Sequence, residues 1–203
     1  MDAFLIDHGY IHKSDVFYWD ELKCTTFFNI DLQLTDKGYE NWETVVEYVF
    51  AALKNLREHG IKEEIHTELH DRNRLKFDYM EKKQTSMYVT ALASRMQKYP
   101  LQDVLRSQIS PMEKYLPNKI KEAMDWLTLD NCKLILRSKK LKDKCTLKED
   151  IYGQSYFIQE ISPELKKACE MPLAPPSPNG LTLGLHPKNP FLPKMFVVGK
   201  PET

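Results

Sequence analysis

Glycine and cysteine are scarce in this sequence, and the spacings that mark several enzyme classes are missing. Only seven glycines occur among 203 residues, and none falls in the GxGxxG or GxxxxGKS/T spacing whose backbone N–H groups cradle phosphates. Kinases, ATPases and dinucleotide-dependent enzymes are therefore not expected. The four cysteines are widely separated and form no CxxC pair, so we expect neither a zinc knuckle nor a disulfide framework.

Long apolar runs and an excess of one charge are also absent. No stretch of 18 apolar residues occurs, and the first residues lack the features of a signal peptide. Basic and acidic residues both number 29, so no overall field favours nucleic acid or anionic lipid. These absences predict a cytoplasmic protein without nucleic-acid or membrane partners.

The sequence does carry the periodicities of an ordinary globular domain. Apolar residues alternate over residues 25–35, which predicts a half-buried strand. Thr35 is a candidate N-cap for a helical pattern that ends at Gly60. Further helices are predicted from about Glu63, around residues 88–96, after a capping box at residues 110–113, from Pro117 and after Ser162. Further strands are predicted at residues 131–138 and 152–161.

This order of elements predicts an α+β fold, an antiparallel sheet with helices packed on one face. We expect a single domain over residues 1–171. Residues 172–203 contain eight of the 12 prolines, which is typical of an extended tail or interdomain linker.

One pair of histidines has the spacing of metal ligands. His66 and His70 are four residues apart in a predicted helix, so they share a face. Glu68 lies two residues from both, about 200° around the helix, and cannot take the place of the glutamate in HExxH or HxxEH. We therefore interpret both histidines as solvated side chains and predict no metal ligand or catalytic residue in this chain.

Two other segments have alternative interpretations. Basic residues recur between Arg137 and Lys144, which favours a solvated turn over a phosphate-binding patch because Asp143 interrupts the run and no aromatic residue interleaves. Three large aromatic residues, Phe17, Tyr18 and Trp19, are compatible with a contact surface or with packing in the core or on an edge strand.

Several short motifs recur in an order and spacing that together resemble a known family, the insulinase (pitrilysin-type) zinc metallopeptidases, over nearly the whole chain. The motifs are Phe27-Phe28, Leu34-Thr35-x-x-Gly38, Leu56-Arg57-x-x-Gly60, Glu68 followed by Leu75 and Phe77, Tyr99-Pro100-Leu101-x-x-Val104-Leu105, Glu149-x-x-Tyr152-Gly153-x-x-Tyr156, and Asn189-x-Phe191-x-Pro193. The chain resembles the second, non-catalytic domain of these enzymes.

The resemblance implies a metallopeptidase-like α/β sandwich that forms part of a chamber wall, with zinc bound by HxxEH in another, catalytic domain and no cofactor in this chain. That zinc-bearing domain is expected in the same longer chain or in a separate subunit. The resemblance also implies that a peptide substrate adds as a strand to an edge segment at Ser14, Val16, Phe17 and Tyr18. The family places paired glycines there, whereas this sequence has Val16-Phe17.

Two functional hypotheses follow. The first is a non-catalytic, substrate-contacting domain of an insulinase-like zinc metalloendopeptidase, inactive in isolation. The alternative is a catalytically dead peptide-binding or assembly module.

Overall fold

The computed structural model describes residues 1–19, 25–107, 114–185 and 189–191. Short 3-10 turns lie at Leu101–Asp103 and Lys139–Lys144. The helices and strands are α1 Asp2–Asp7, β1 Ile11–Trp19, β2 Phe27–Leu34, α2 Asp36–Glu40, α3 Trp42–His59, α4 Glu63–Asp78, α5 Thr85–Met96, α6 Pro117–Asp125, β3 Leu147–Lys148, β4 Ser155–Tyr156 and α7 Pro163–Glu170.

Helices and small antiparallel sheets make this an α+β fold, as the sequence predicts. Strand β1 pairs with β2, and β3 pairs with β4, so each sheet in the described residues has two strands. None of the described helices is long and apolar enough to cross a membrane.

The chain divides into two compact units. The first comprises Met1–Glu58 and Ala123–Leu185, and the second comprises His59–Glu122 and the described residues after 185. The predicted boundary at residue 171 does not coincide with this division, and it stays a prediction. Residues 172–185 contain no helix or strand, and they are part of the first unit.

Helix α3 supplies both apolar clusters of the first unit. Val45 and Tyr48 face one cluster, and Phe50 faces the other. This two-sided burial explains why apolar residues occur around so much of the helix. The first cluster adds Phe4, Leu5 and Ile11, and the second adds Leu129, Leu165 and Cys169. Full burial of each such aliphatic side chain contributes about 1.5–3 kcal/mol.

Helix α3 also fixes the chain that follows α6. Arg57 donates from Nε to the carbonyl oxygen of Met124 at 3.2 Å and from its guanidinium to that of Leu127. The Met124 carbonyl lies in the last turn of α6 and also accepts the Leu127 N–H at 3.1 Å, and the Leu127 carbonyl lies just after the helix. The Leu56-Arg57 motif therefore has a structural function as a helix-end cap.

The predicted helix ends are confirmed where their chemistry is local. Thr35 accepts a hydrogen bond from the Gly38 N–H at 3.0 Å, and Ser162 accepts one from Leu165 at 3.2 Å. Gly60 has φ +66°, as a glycine that ends a helix commonly does. The capping box at residues 110–113 lies outside the described residues.

One predicted strand is wrong, and a second is confirmed only in part. Leu134 and Leu136 are half-buried and Ile135 is exposed, as alternation predicts, but residues 131–138 have no partner strand in the described part of the chain. The strand predicted at 152–161 is reduced to β4, two residues long. Alternation orients side chains, but a strand also requires a neighbour for its backbone hydrogen bonds.

The second unit has fewer buried residues than the first. Helices α4 and α5 have no fully buried residue, and Met96 at the end of α5 is 58% exposed. Val104 and Ser107 are its buried residues among those described.

Candidate functional site

Strand β1 contains the predicted edge segment. It is antiparallel to β2, with Ser14 opposite Leu32, Val16 opposite Ile30 and Tyr18 opposite Phe28. In the described residues no further strand lies on the other side of β1. That outer edge therefore presents N–H and C=O groups without strand partners, the arrangement that an added peptide strand uses.

The first face of this sheet carries the pairs just given, together with Ile11 and Leu34. Ile11 is buried, whereas Val16 is 52% exposed and Tyr18 is 68% exposed. One end of the face therefore packs on the core of the first unit. The other end is an exposed apolar surface beside the free edge.

The second face carries charge. Lys13 lies opposite Gln33, Asp15 opposite Asp31 and Phe17 opposite Asn29. The Lys13 ammonium contacts the Asp15 carboxylate at 2.5 Å. Phe17, on this same face, is 46% exposed. Carboxylates directly opposite each other on antiparallel strands repel and destabilise the pairing.

A network at the start of the sheet holds β1 in place. Thr35 donates from Oγ1 to the Gly9 carbonyl oxygen at 2.7 Å and from its N–H to that of Tyr10 at 3.0 Å. Lys37 donates to the carbonyl oxygen of His8 at 2.6 Å. A Cβ atom on Gly38 would lie 1.9 Å from the Tyr10 carbonyl oxygen. In the Leu-Thr-x-x-Gly motif, Thr35 therefore hydrogen-bonds the turn before β1, and the absence of a side chain at Gly38 allows α2 to pack closely against that turn.

Four rings pack beneath that turn. Phe4 meets His8 edge-on with centroids 4.6 Å apart, and His8 stacks on Tyr10 at 5.5 Å. Tyr48 of α3 contacts Phe4 at 5.3 Å, and burial raises the pKa of its hydroxyl. This ring cluster joins α1 and the turn before β1 to α3, so the start of the edge strand is packed against the core of the first unit.

The proline-rich segment is hydrogen-bonded to α1 and α3, which also contribute to this ring cluster. The Asp7 carboxylate accepts from the Ser177 hydroxyl and from the Asn179 N–H, the latter at 3.0 Å. These hydrogen bonds hold the pKa of Asp7 below its ordinary value, and the bond from Ser177 has the largest effect. Glu47 accepts from the Leu173 N–H at 3.1 Å. Residues 172–185 are thus a docked strap in this unit.

The Glu149-x-x-Tyr152-Gly153-x-x-Tyr156 motif forms the β3–β4 turn. The Glu149 carboxylate accepts the N–H groups of Ile151 at 2.6 Å and Tyr152 at 2.7 Å. These hydrogen bonds lower the pKa of Glu149, and the bond from Tyr152 has the largest effect. Gly153 has φ +67°. Ile151 and Tyr152 are 81% and 84% exposed, so the turn presents two large apolar side chains to solvent.

The paired histidines of α4 have separate surroundings. His66 packs against the ring of Tyr115, with centroids 5.3 Å apart, and His70 lies 3.3 Å from the Asp71 carboxylate. Glu68 instead accepts the N–H of Asn189 at 3.0 Å. Within residues 1–19, 25–107, 114–185 and 189–191, no three His, Cys, Asp or Glu side chains come together as a metal site.

In the basic run between Arg137 and Lys144, Lys140 contacts helix α2. Lys140 forms an ion pair with Asp36 at 2.7 Å and lies 5.0 Å above the Tyr39 ring centroid. The same contact lowers the pKa of Asp36 and raises that of Lys140. One of the five basic side chains is therefore engaged with α2.

Sequence reasoning missed β1 as a regular strand and the pairing of Asp15 with Asp31. The run of large and β-branched residues from Val16 to Trp19 was a signal for a strand. A register shift between Ile11 and Lys13 disrupts the alternation that would have made the signal plain.

Comparison with known proteins adds a family match. Residues 77–203 match a family model described as "Middle or third domain of peptidase_M16". The resemblance covers nearly the whole chain and implies the second domain. Residues 1–76, which include β1, lie outside the matched range.

Relatives and a solved structure agree with this match. Human nardilysin is 37% identical over 134 residues, 66% of this chain and 12% of that protein. Human insulin-degrading enzyme is 29% identical over 173 residues, 85% of this chain and 16% of that protein. The crystal structure of pitrilysin superposes with a TM-score of 0.60 at 26% identity, covering 64% of this chain and 14% of that one.

The chain thus spans less than a fifth of the length of these relatives. The family predicted from the sequence is confirmed by a model covering more than half the chain and by the shared fold. The chain belongs to the peptidase_M16 family, the insulinase or pitrilysin-type metallopeptidases.

Proposed function

We propose that this chain is a non-catalytic, chamber-forming and substrate-contacting domain of an insulinase-like zinc metalloendopeptidase. The observation that carries the proposal is the open outer edge of β1, which includes Ser14, Val16, Phe17 and Tyr18. Family membership supports peptide as the ligand, because the relatives are peptidases.

An edge strand binds a peptide mainly through its backbone. Main-chain hydrogen bonds supply affinity, and side chains that alternate above and below the sheet supply specificity. Val16 and Phe17 occupy the place of the family's paired glycines, but their side chains point to opposite faces of the sheet. They narrow the approach to the edge and leave the hydrogen-bonding groups between them accessible.

Peptide hydrolysis would depend on a zinc-bearing catalytic domain elsewhere, in the same longer chain or in a separate subunit. The residues of this chain do not fit that metal. The sequence has no HxxEH, and the described side chains form no metal-binding group. We therefore assign zinc and the hydrolytic residues to the other domain.

Docking on neighbouring domains would complete the chamber. The tip formed by Ile151 and Tyr152 supports this part of the proposal, because two large apolar side chains are held out to solvent by the Glu149 hydrogen bonds. Exposed apolar patches of this kind mark interaction surfaces. The isolated chain should therefore associate at high concentration, which light scattering would detect.

The test is cleavage of a fluorogenic peptide by the purified chain, alone and mixed with the HxxEH-bearing domain. We expect no turnover by the chain alone, and faster turnover by the mixture than by the zinc-bearing domain alone. Chelator-sensitive cleavage by the chain alone would refute the proposal. Peptide binding without acceleration in any mixture would instead support the alternative, a catalytically dead peptide-binding or assembly module.

A further inference from the structure

The two faces of the sheet at the free edge of β1 differ in chemistry, and this difference constrains the peptide that fits there. A strand added beside β1 continues the sheet, so its side chains alternate between the same two faces. Each face of β1 therefore selects every second residue of the bound peptide.

The first face selects apolar residues. Val16 and Tyr18 of β1 are exposed there, and Ile30 and Phe28 lie opposite them on β2. A valine, isoleucine or aromatic side chain on the added strand would pack against this surface and remove it from water. Such same-face neighbours are the main source of side-chain stabilisation in sheets.

The second face selects a cation. One ammonium, on Lys13, and two carboxylates, on Asp15 and Asp31, leave it with one net negative charge. No ion pair joins Asp31 to another described residue. The exposed ring of Phe17 follows Asp15 on this face, and a lysine or arginine on the added strand would meet both the carboxylates and the ring.

The geometry allows that contact. Neighbouring strands lie about 4.8 Å apart, so a side chain of the added strand stands next to Asp15 and one strand further from Asp31. The long apolar stem of lysine or arginine can lean over β1 while its charged end stays in water between the carboxylates. The cation would also relieve the repulsion between Asp15 and Asp31.

From these observations we infer that the β1 edge selects extended peptides that alternate apolar residues on one face with a basic residue on the other. The inference rests on the proposed function, since it names the peptide class that the edge would bind. It assigns selectivity to Asp31 and Asp15, which lie outside the main-chain contacts that any added strand would make.

Three labelled nine-residue peptides test it against the full 203-residue chain by fluorescence anisotropy at low salt. All three alternate valine and threonine, and the central threonine is replaced by lysine, glutamine or glutamate. We expect affinity to fall in that order, with about a 2–5-fold difference at each step, as for surface charge pairs. Added salt should reduce the differences.

The substitution Asp31→Asn is the decisive variant. It should bring the lysine and glutamine peptides to nearly equal affinity and leave binding of the glutamine peptide unchanged. The chain should remain folded and become slightly more stable, because one of the two opposed carboxylates is replaced by a neutral amide. Glu43→Gln, at an exposed site on α3, makes the same charge change away from β1 and should keep the lysine preference.

The outcomes separate this inference from the proposed function. Equal binding of all three peptides, or a lysine preference that survives Asp31→Asn, would overturn the inference and leave an added strand possible. Absence of binding by every peptide would overturn both.

Discussion

Replacing Gly38 with alanine should destabilise the packing of α2 against the turn that precedes β1. The new Cβ would lie 1.9 Å from the Tyr10 carbonyl oxygen, whereas real Cβ atoms essentially never come within 3.0 Å of such an atom. Helix α2 and the turn must then separate by about 1 Å, and overpacking of this kind costs about 1–3 kcal/mol.

The separation also affects two hydrogen bonds from Thr35, to Gly9 at 2.7 Å and to Tyr10 at 3.0 Å. Each contributes about 1 kcal/mol. The better helix propensity of alanine returns up to about 1 kcal/mol. We therefore expect Gly38→Ala to lower the free energy of unfolding by about 3 kcal/mol, which corresponds to roughly 6–12 °C in Tm for a chain of this size.

Urea denaturation followed by circular dichroism measures this change. Gly184→Ala is the matched control, because that glycine is exposed, has no atom within 4 Å of a built Cβ and needs no positive φ. The control should stay within about 0.5 kcal/mol of the parent chain. A Gly38→Ala variant as stable as the control would refute the account of the junction.

Three further predictions concern the first unit. Folding lowers the pKa of Asp7, so the ionised carboxylate stabilises the 172–185 strap fully at pH values above the ordinary pKa of about 3.8. This stabilisation is lost as the pH falls through the lowered pKa of the folded state, and proteolysis of the strap should increase over that pH range. The substitution Asp7→Asn should remove this pH dependence of proteolysis. Arg57→Met removes the guanidinium hydrogen bonds to the carbonyl oxygens of Met124 and Leu127. It should lower the free energy of unfolding by about 2 kcal/mol in urea denaturation; no change would contradict the assigned cap. Burial raises the pKa of the Cys169 thiol to about 11, so alkylation at pH 8 should modify it in urea but not in buffer, as mass spectrometry would show; equal rates would contradict its burial.

Local chemistry explains which parts of the fold were predictable. Thr35, Gly60 and Ser162 act on backbone groups within four residues, so their functions can be recognised from the sequence alone. Residues 131–138 were predicted wrongly because alternation specifies which side chains are buried and does not supply a partner strand. Strand β1 was missed for the converse reason, since its partner exists but its alternation is interrupted near His12.

Long-range contacts were beyond prediction from periodicity. The docking of the strap depends on Asp7 meeting Ser177, which is 170 residues away in sequence. The edge segment was predicted only through the family resemblance. The selectivity proposed for it depends on Asp15 facing Asp31, and this apposition follows from a strand register that no local pattern specifies.

Hydrogen exchange at the β1 backbone most directly tests the claim that this edge receives a peptide as an added strand. Amide exchange across residues 11–19 would be measured by mass spectrometry with and without the lysine-bearing peptide at saturation, and the β3–β4 turn would serve as the internal reference. We predict slower exchange in β1 and unchanged exchange in the reference, because the added strand pairs with the outer edge. Unchanged exchange in β1 with the peptide bound, or protection confined to another part of the chain, would contradict the account.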